Sequence, residues 1–122
     1  MKRRALEPEL LPTTPEDFLC EGLLALKSIE EMRAFLHDLL TPAELEAFTD
    51  RWRVVPLLIE GVAYREIHDR TAVSVTTIGR VARCLAGPDR GYARAAKRLK
   101  ARGRWPMLNN PDAVRGDPIK DR

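Results

Sequence analysis

The sequence predicts an all-α fold of about six helices, and three observations support this prediction. Helix-capping patterns occur three times in the first 45 residues. Between them, apolar residues recur every three or four positions, which places them on one face of a helix. Residues 64 to 85 then read as two short helices joined by a tight turn, a helix-turn-helix motif. For a chain of 122 residues we expect one domain with a modest core.

Each capping pattern begins with a hydroxyl residue, which accepts a hydrogen bond from a free N–H group in the first turn of a helix. Acidic residues follow and favour the positive end of the helix dipole. Two of the patterns place proline at the first helical position, where no needed donor is lost. The patterns are Thr14-Pro15-Glu16-Asp17, Ser28-Ile29-Glu30-Glu31 and Thr41-Pro42-Ala43-Glu44.

The third helix is expected to be long, to bend once and to end at a glycine. Its apolar residues step by 3, 4, 3 and 4 positions from Leu45 to Ile59. Pro56 lies inside this stretch and lacks a backbone donor, so we expect the bend there. Gly61 is well placed to end the helix.

The helix-turn-helix has apolar residues where its two helices must meet. These residues are Ile67, Val73, Ile78 and Val81. Two other positions depart from the usual pattern of the motif. His68 stands where a small residue is expected, and we predict that it points partly outward. Ala72 stands where glycine normally allows a left-handed turn, a conformation that costs alanine about 1 kcal/mol.

The exposed face of the second motif helix carries residue types suited to a DNA major groove. Ser74 is the expected N-cap, and the first turn after it reaches base edges in such motifs. Threonine offers a hydroxyl or a methyl group to a base. Arginine makes two hydrogen bonds to guanine or binds a phosphate, and the sequence does not decide between these two arginine contacts. Arg65 begins the first motif helix, which favours a phosphate contact. The predicted DNA-binding residues are Arg65, Ser74, Val75, Thr76, Thr77, Arg80, Arg83 and Lys97.

The charge distribution also indicates a polyanionic partner. Residues 1 to 60 hold 7 basic and 12 acidic side chains, a net charge of −5, whereas residues 61 to 104 hold 11 basic and 3 acidic side chains, a net charge of +8. From residue 90 to 104 there are 7 basic residues and no acidic one. A positive charge concentrated on and after the motif is the pattern expected for double-stranded DNA as partner. A solvated basic face is the alternative.

Patterns typical of enzymes, metal sites and membrane proteins are absent from the sequence. The two histidines, His37 and His68, are far apart along the chain, and there is no metal-ligand spacing or glycine-rich phosphate loop. We therefore expect no catalytic activity, no metal and no cofactor. No run approaches the roughly 18 apolar residues of a membrane span. Because no signal-peptide pattern opens the chain, we expect a cytoplasmic protein in which Cys20 and Cys84 are free, packed thiols.

The two ends of the chain differ from its centre. Residues 1 to 13 contain Pro8 and Pro12 and are predicted to form a flexible arm. Residues 14 to 102 are predicted to form the helical DNA-binding domain. Residues 103 to 122 have little periodicity and several glycines and prolines, and are predicted to form a disordered tail.

Several short motifs follow one another between Leu40 and Leu99. They are Leu40-Thr41-Pro42-Ala43-Glu44, residues 49 to 55, Tyr64-Arg65-Glu66-Ile67, Thr76-Thr77-Ile78, residues 80 to 85 and Gly91-Tyr92. With these motifs the stretch resembles the Trp repressor superfamily, and more particularly its YerC/YecD-type branch. The resemblance implies an intertwined homodimer whose N-terminal helices interlock. It also implies two reading helices about one DNA turn apart, roughly 34 Å, facing a pseudo-palindromic operator.

The resemblance further implies a place for a tryptophan-like corepressor between two arginines, which match Arg51 and Arg80. However, Val81 matches the glycine that makes room for the indole, and a valine side chain fills part of that slot. We therefore expect no tryptophan control. For Arg51 the alternative is an exposed helix arginine or an ion pair between subunits.

Together these observations predict a dimeric, sequence-specific transcriptional regulator, a repressor that occludes a promoter. One alternative is a promoter-binding module like the tail domain of a sigma factor, which also shows a Leu-Thr-Pro-x-Glu start and a Tyr-x-Glu-Ile helix. Another is an RNA-binding or protein-binding helical module. The aromatic content of 6% argues against stacking of single-stranded bases.

Overall fold

The computed structural model describes residues 12 to 106, where it contains seven α-helices and no strand. The all-α prediction is thus confirmed. The helices are α1 (Pro15–Leu24), α2 (Ile29–Leu39), α3 (Pro42–Arg53), α4 (Val55–Ile59), α5 (Tyr64–Thr71), α6 (Val75–Ala86) and α7 (Gly91–Ala101). The predicted N-terminal arm lies outside the described residues as far as residue 11, and so does the predicted tail from residue 107 onward.

The chain divides into two units, one ending at Pro42 and one beginning at Ala43. The first unit holds α1 and α2, and side-chain caps begin both helices. Thr14 Oγ1 accepts the N–H of Asp17 at 3.0 Å, and Ser28 Oγ accepts the N–H of Glu31 at 3.1 Å. These two bonds confirm the predicted helix starts. The starts could be predicted because a capping pattern depends on only four consecutive residues.

The first unit leaves its apolar side chains exposed. Phe18 is 61% exposed, Leu24 84% and Ile29 60%. No residue of α1 or α2, which are described from end to end, is buried. The apolar residues of these two helices therefore have no core within the described part of the chain.

The second unit contains the hydrophobic core. The short helix α4 lies at its centre, and the helix-turn-helix packs against it. The buried apolar cluster consists of Val54, Val55, Leu57, Ile67, Val73, Ile78 and Val81. All four residues predicted to join the motif helices belong to this cluster, so the packing predicted for the motif is confirmed.

The expected single third helix is instead two helices, α3 and α4. Helix α3 ends at Arg53 and α4 begins at Val55, so the chain leaves the helix at Val54, two residues before Pro56. A proline inside a helix lacks the N–H that would bond to the carbonyl four residues earlier, here that of Trp52, and its ring crowds that carbonyl. Near the start of a new helix the same proline costs no hydrogen bond. The predicted bend is therefore a break, and it accounts for the additional helix.

Gly61 ends α4 as predicted. Its φ of 82° is left-handed, a conformation that glycine adopts without the steric cost of a side chain. The N–H of Gly61 donates to the carbonyl of Leu58 and the N–H of Val62 to that of Leu57, both at 3.0 Å. These two bonds form a Schellman motif, which satisfies carbonyl groups at the end of the helix.

The turn between α5 and α6 holds Ala72 in a left-handed conformation, with φ 64° and ψ 9°. Its N–H donates to the carbonyl of His68 at 2.8 Å. The buried hydroxyl of Thr71 donates to the carbonyl of Ile67 at 2.7 Å and accepts the N–H of Val73 at 3.1 Å. The exposed His68 donates from Nδ1 to the carbonyl of Val73 at 2.8 Å. The turn thus keeps the usual shape without glycine, because several hydrogen bonds hold the strained residue.

Aromatic side chains tie α7 and the residues after it to α3. The rings of Trp52 and Tyr92 stack with centroids 6.0 Å apart, and Trp105 meets Trp52 edge-on at 5.8 Å. Trp105, which lies in the segment predicted to be mostly disordered, is half-buried against the core. The packed part of the chain thus extends past residue 102.

Three further observations on the described residues concern the cysteines, metal sites and membrane spans. Cys20 and Cys84 are free thiols, but both are exposed rather than packed. Residues 12 to 106 contain no cluster of His, Cys, Asp or Glu that could hold a metal ion. Over the same range no helix has the length and apolar character needed to cross a membrane.

Replacing Ala72 with glycine removes the steric cost of its left-handed conformation. We expect Ala72→Gly to raise the free energy of unfolding by about 1 kcal/mol, measured by urea denaturation. Ala95→Gly within α7 is the matched control and should lower it by about 1 kcal/mol. Destabilisation by both variants would mean that the turn imposes no strain on Ala72.

Candidate DNA-binding interface

The second motif helix, α6, has one buried face and one open face. Ile78 and Val81 are fully buried on the first. At 3.6 residues per turn, Thr76, Arg80 and Arg83 lie on the other, and all three are exposed. The packing of α6 on the core therefore fixes which side chains meet a partner.

Ser74 is the N-cap of α6, as predicted, and it bonds twice to Thr77. Its Oγ accepts the N–H of Thr77 at 3.1 Å, and its O–H donates to Oγ1 of Thr77, also at 3.1 Å. Thr77 is only half-exposed. Both hydroxyl groups are thus engaged in holding the first turn of the helix.

Val75 and Thr76 form the open part of that first turn. Val75 is 51% exposed, although it is a large apolar residue. Thr76 is exposed too, and its hydroxyl has no hydrogen bond to any residue of the described range 12 to 106. This end of the helix therefore offers an apolar surface beside one free hydroxyl.

Gly79 lies in the middle of the same face, where an added Cβ atom would make ordinary van der Waals contacts. A side chain there would come 3.8 Å from a guanidinium nitrogen of Arg83 and 3.9 Å from the ring of Tyr64. Arg83 thus folds back along α6, and Tyr64 brings the start of α5 beside it. The sequence reasoning missed Gly79 and Tyr64. Gly79 lies three residues after Thr76 and four before Arg83, and this spacing could have placed it on the same face of the helix.

Arg80 and Arg83 share an open groove of about 560 Å³ between the end of α6 and the start of α7. Cys84, Asp89 and Tyr92 also line it. Arg80 and Arg83 place two positive charges beside this groove, and Asp89 places one negative charge there. The groove lies at the C-terminal end of the exposed face of α6.

The two remaining predicted residues lie on other helices. Arg65 is exposed in the first turn of α5, and it has no ion pair or hydrogen bond within the described residues. Lys97 lies in α7 and lines a second groove of about 610 Å³ with Leu58, Leu85 and Trp105. None of the other predicted DNA-binding residues lines that groove, so the structure does not bring Lys97 together with them.

The two arginines considered for a ligand have different surroundings. The Arg51 guanidinium lies over the ring of Phe48, 5.9 Å from its centroid. Arg80 lines the groove described above, and Arg51 does not. Val81, at the position of the indole slot, is fully buried in the core. The expectation that tryptophan does not control this protein stays a prediction.

The basic residues reinforce the asymmetry of the interface. The segment from residue 61 to 104, with its net charge of +8, includes all of α5, α6 and α7. Within it, the Arg70–Glu66 ion pair at 3.2 Å lies along α5 and uses one of its three acidic residues. The exposed arginines on α6 therefore lie in a segment where basic residues outnumber acidic ones by 11 to 3.

Helices α5 and α6 pack together on one core, and α6 is capped at its start and exposed on its outer face. This arrangement defines the molecule as a helix-turn-helix protein. The comparisons with known proteins place it more narrowly. Residues 16 to 100 match the family model described as Trp repressor protein. The chain is also 38% identical over 84 residues to the uncharacterized protein YerC of Bacillus subtilis strain 168, which covers 69% of this chain and 81% of YerC. No solved structure matches.

The chain thus belongs to the Trp repressor family. This is a family of DNA-binding regulators, not of enzymes. The match to YerC also confirms the resemblance to that branch.

Loss of the α6 cap should destabilise the second unit. Ser74→Ala removes the acceptor for the N–H of Thr77, and we expect it to lower the free energy of unfolding by about 1 kcal/mol. Thr76→Ala is the control, because its hydroxyl has no hydrogen bond within the described residues, and should change stability by less than about 0.5 kcal/mol. Equal effects in urea denaturation would contradict a specific role of Ser74.

Proposed function

We propose that this protein is a dimeric transcriptional regulator that binds a pseudo-palindromic DNA operator and represses by occluding a promoter. The observation that carries the proposal is the exposed face of α6, from Val75 to Arg83, held on a buried core beside a strongly basic segment. The family supports the DNA-binding part of this proposal. The two free cysteines are consistent with the cytoplasmic location expected for such a regulator.

In the proposed complex, α6 lies in the major groove with its first turn toward the bases. Thr76 offers an unbonded hydroxyl there, and Val75 an exposed apolar side chain. Arg65, Arg80 and Arg83 contact the DNA backbone, as arginines beside a reading helix commonly do. The basic helix α7 with Lys97 adds positive charge that attracts the duplex.

The dimer is supported by the exposed apolar residues of the first three helices. No residue of α1, α2 or α3, each described in full, is buried. An apolar surface of this kind is commonly covered by a second protein surface. A dimer also explains how a small unit reads two half-sites about 34 Å apart.

The proposed regulator needs no tryptophan corepressor. Val81 is fully buried and helps to hold α6 on the core. The Arg51 side chain contacts Phe48 within its own helix. These contacts support DNA binding by the protein alone.

The first test is selection of binding sites from a random duplex pool, with the purified protein, at fixed salt concentration and without added ligand. We expect enrichment of a palindrome with two half-sites about one helical turn apart. Salt-sensitive binding with no enriched sequence would contradict sequence-specific recognition by the protein alone.

Variants in the first turn should separate specific from non-specific binding. Thr76→Ala with Thr77→Ala should weaken binding to the selected site by about 1 to 3 kcal/mol and leave binding to random duplex unchanged. Arg65→Gln is the matched comparison. Loss of its phosphate contact should weaken both alike and reduce the dependence of affinity on salt by about one unit of log–log slope per contact. An unchanged ratio of specific to random binding in the threonine variant would contradict base readout by these residues.

Sedimentation tests the dimer separately from DNA binding. We expect a dimer at micromolar protein concentration, and Phe18→Ser or Leu24→Ser, at exposed apolar positions, should shift the protein toward monomer. A monomer at that concentration would instead favour a promoter-binding module of the sigma-factor type, which acts with a protein partner.

A further inference from the structure

The first turn of α6 lacks the arginine, lysine, amide and carboxylate side chains that distinguish guanine, adenine or cytosine, and its hydroxyl groups can bond to any base. Arginine and lysine read guanine, asparagine and glutamine read adenine, and carboxylates read cytosine. Residues 74 to 77 are serine, valine and two threonines. The chemistry of this turn therefore consists of three hydroxyl groups and several methyl groups.

Two of the three hydroxyl groups are already engaged. Ser74 accepts the N–H of Thr77 and donates to Oγ1 of Thr77, both at 3.1 Å. Turning the Ser74 hydroxyl toward a base would break the cap that begins the helix, and turning the Thr77 hydroxyl would break its hydrogen bond to Ser74. Thr77 is thus a positioning residue for the first turn, and Thr76 carries the hydroxyl that remains available.

Val75 is the most exposed apolar feature of this turn, at 51%. A valine in a helix has one strongly preferred side-chain rotamer, so its two methyl groups form a fixed surface. Contact with another apolar group would therefore cost little conformational entropy. Among the four bases, only thymine presents an apolar group in the major groove, its C5 methyl.

We propose that Val75 is a specificity-determining residue, which selects a T·A base pair in each half-site through contact with the C5 methyl group of thymine. This inference rests on the proposed function, because it assumes that α6 lies in the major groove. It goes beyond that function by naming the base and the atom that one residue reads.

The test replaces single thymidines (dT) of the selected operator with deoxyuridine (dU), which removes the C5 methyl group and leaves every hydrogen-bonding atom in place. At one symmetric position, dU in both half-sites should weaken binding by about fifteenfold, roughly fourfold for each buried methyl group. The same replacement outside the half-sites is the control and should have no effect.

Two protein variants then assign the methyl contact to one residue. With Val75→Ala the dT and dU operators should bind equally, whereas with Thr76→Ser, which removes the neighbouring methyl group, the dU penalty should persist. Because Val75 is half-exposed, Val75→Ala should still fold, and its thermal unfolding and its affinity for random duplex check this.

Each outcome decides the proposal. A dU penalty that vanishes in Val75→Ala and persists in Thr76→Ser supports it. A penalty that persists in Val75→Ala, or an enriched operator in which dU is neutral at every position, overturns it and leaves sequence-specific binding intact. Selection that enriches no sequence overturns both this inference and the proposed function.

Discussion

The left-handed turn at Ala72 is the constraint on which the rest of the interface depends. It sets the angle at which α6 leaves α5, and so decides which face of α6 meets the core. Alanine is a poor residue for that conformation. The turn persists because hydrogen bonds from Thr71 and His68 close it on both sides, and because Ile67 and Val73 are buried beside it. Backbone strain is thus balanced by local bonds and by the core together.

The sequence predicted those features that depend on a few neighbouring residues. Helix starts at Thr14 and Ser28 followed from capping chemistry, and the contacts of Ile67 and Ile78 from helical spacing. The break before Pro56 was harder, because a proline inside a helical pattern either bends a helix or divides it. Packing decides between the two, and here Val54 at the break and Val55 and Leu57 after it are fully buried.

Features that depend on distant partners were not predictable in the same way. Trp105 lies two residues after Gly103 and directly before Pro106, so its local sequence indicates a loop, yet its ring packs on Trp52, 53 positions earlier in the chain. An apolar stripe likewise tells which face of a helix needs cover but not what covers it. Phe48 and Ile59 lie on the predicted stripe from Leu45 to Ile59 and are still exposed.

Val81 belongs to the core of this protein and also matches the position of the ligand slot, so it bears on how DNA binding is controlled. In the family, a glycine at the matching position leaves room for a ligand beside the reading helix. Here the side chain of Val81 occupies the core with Ile78 and Leu57, and all three are fully buried. Each buried methyl group contributes about 0.8 kcal/mol to holding α6 in place. A reading helix that is positioned by its own core has less need of a ligand to position it. Val81 thus holds α6 through the core of the protein itself.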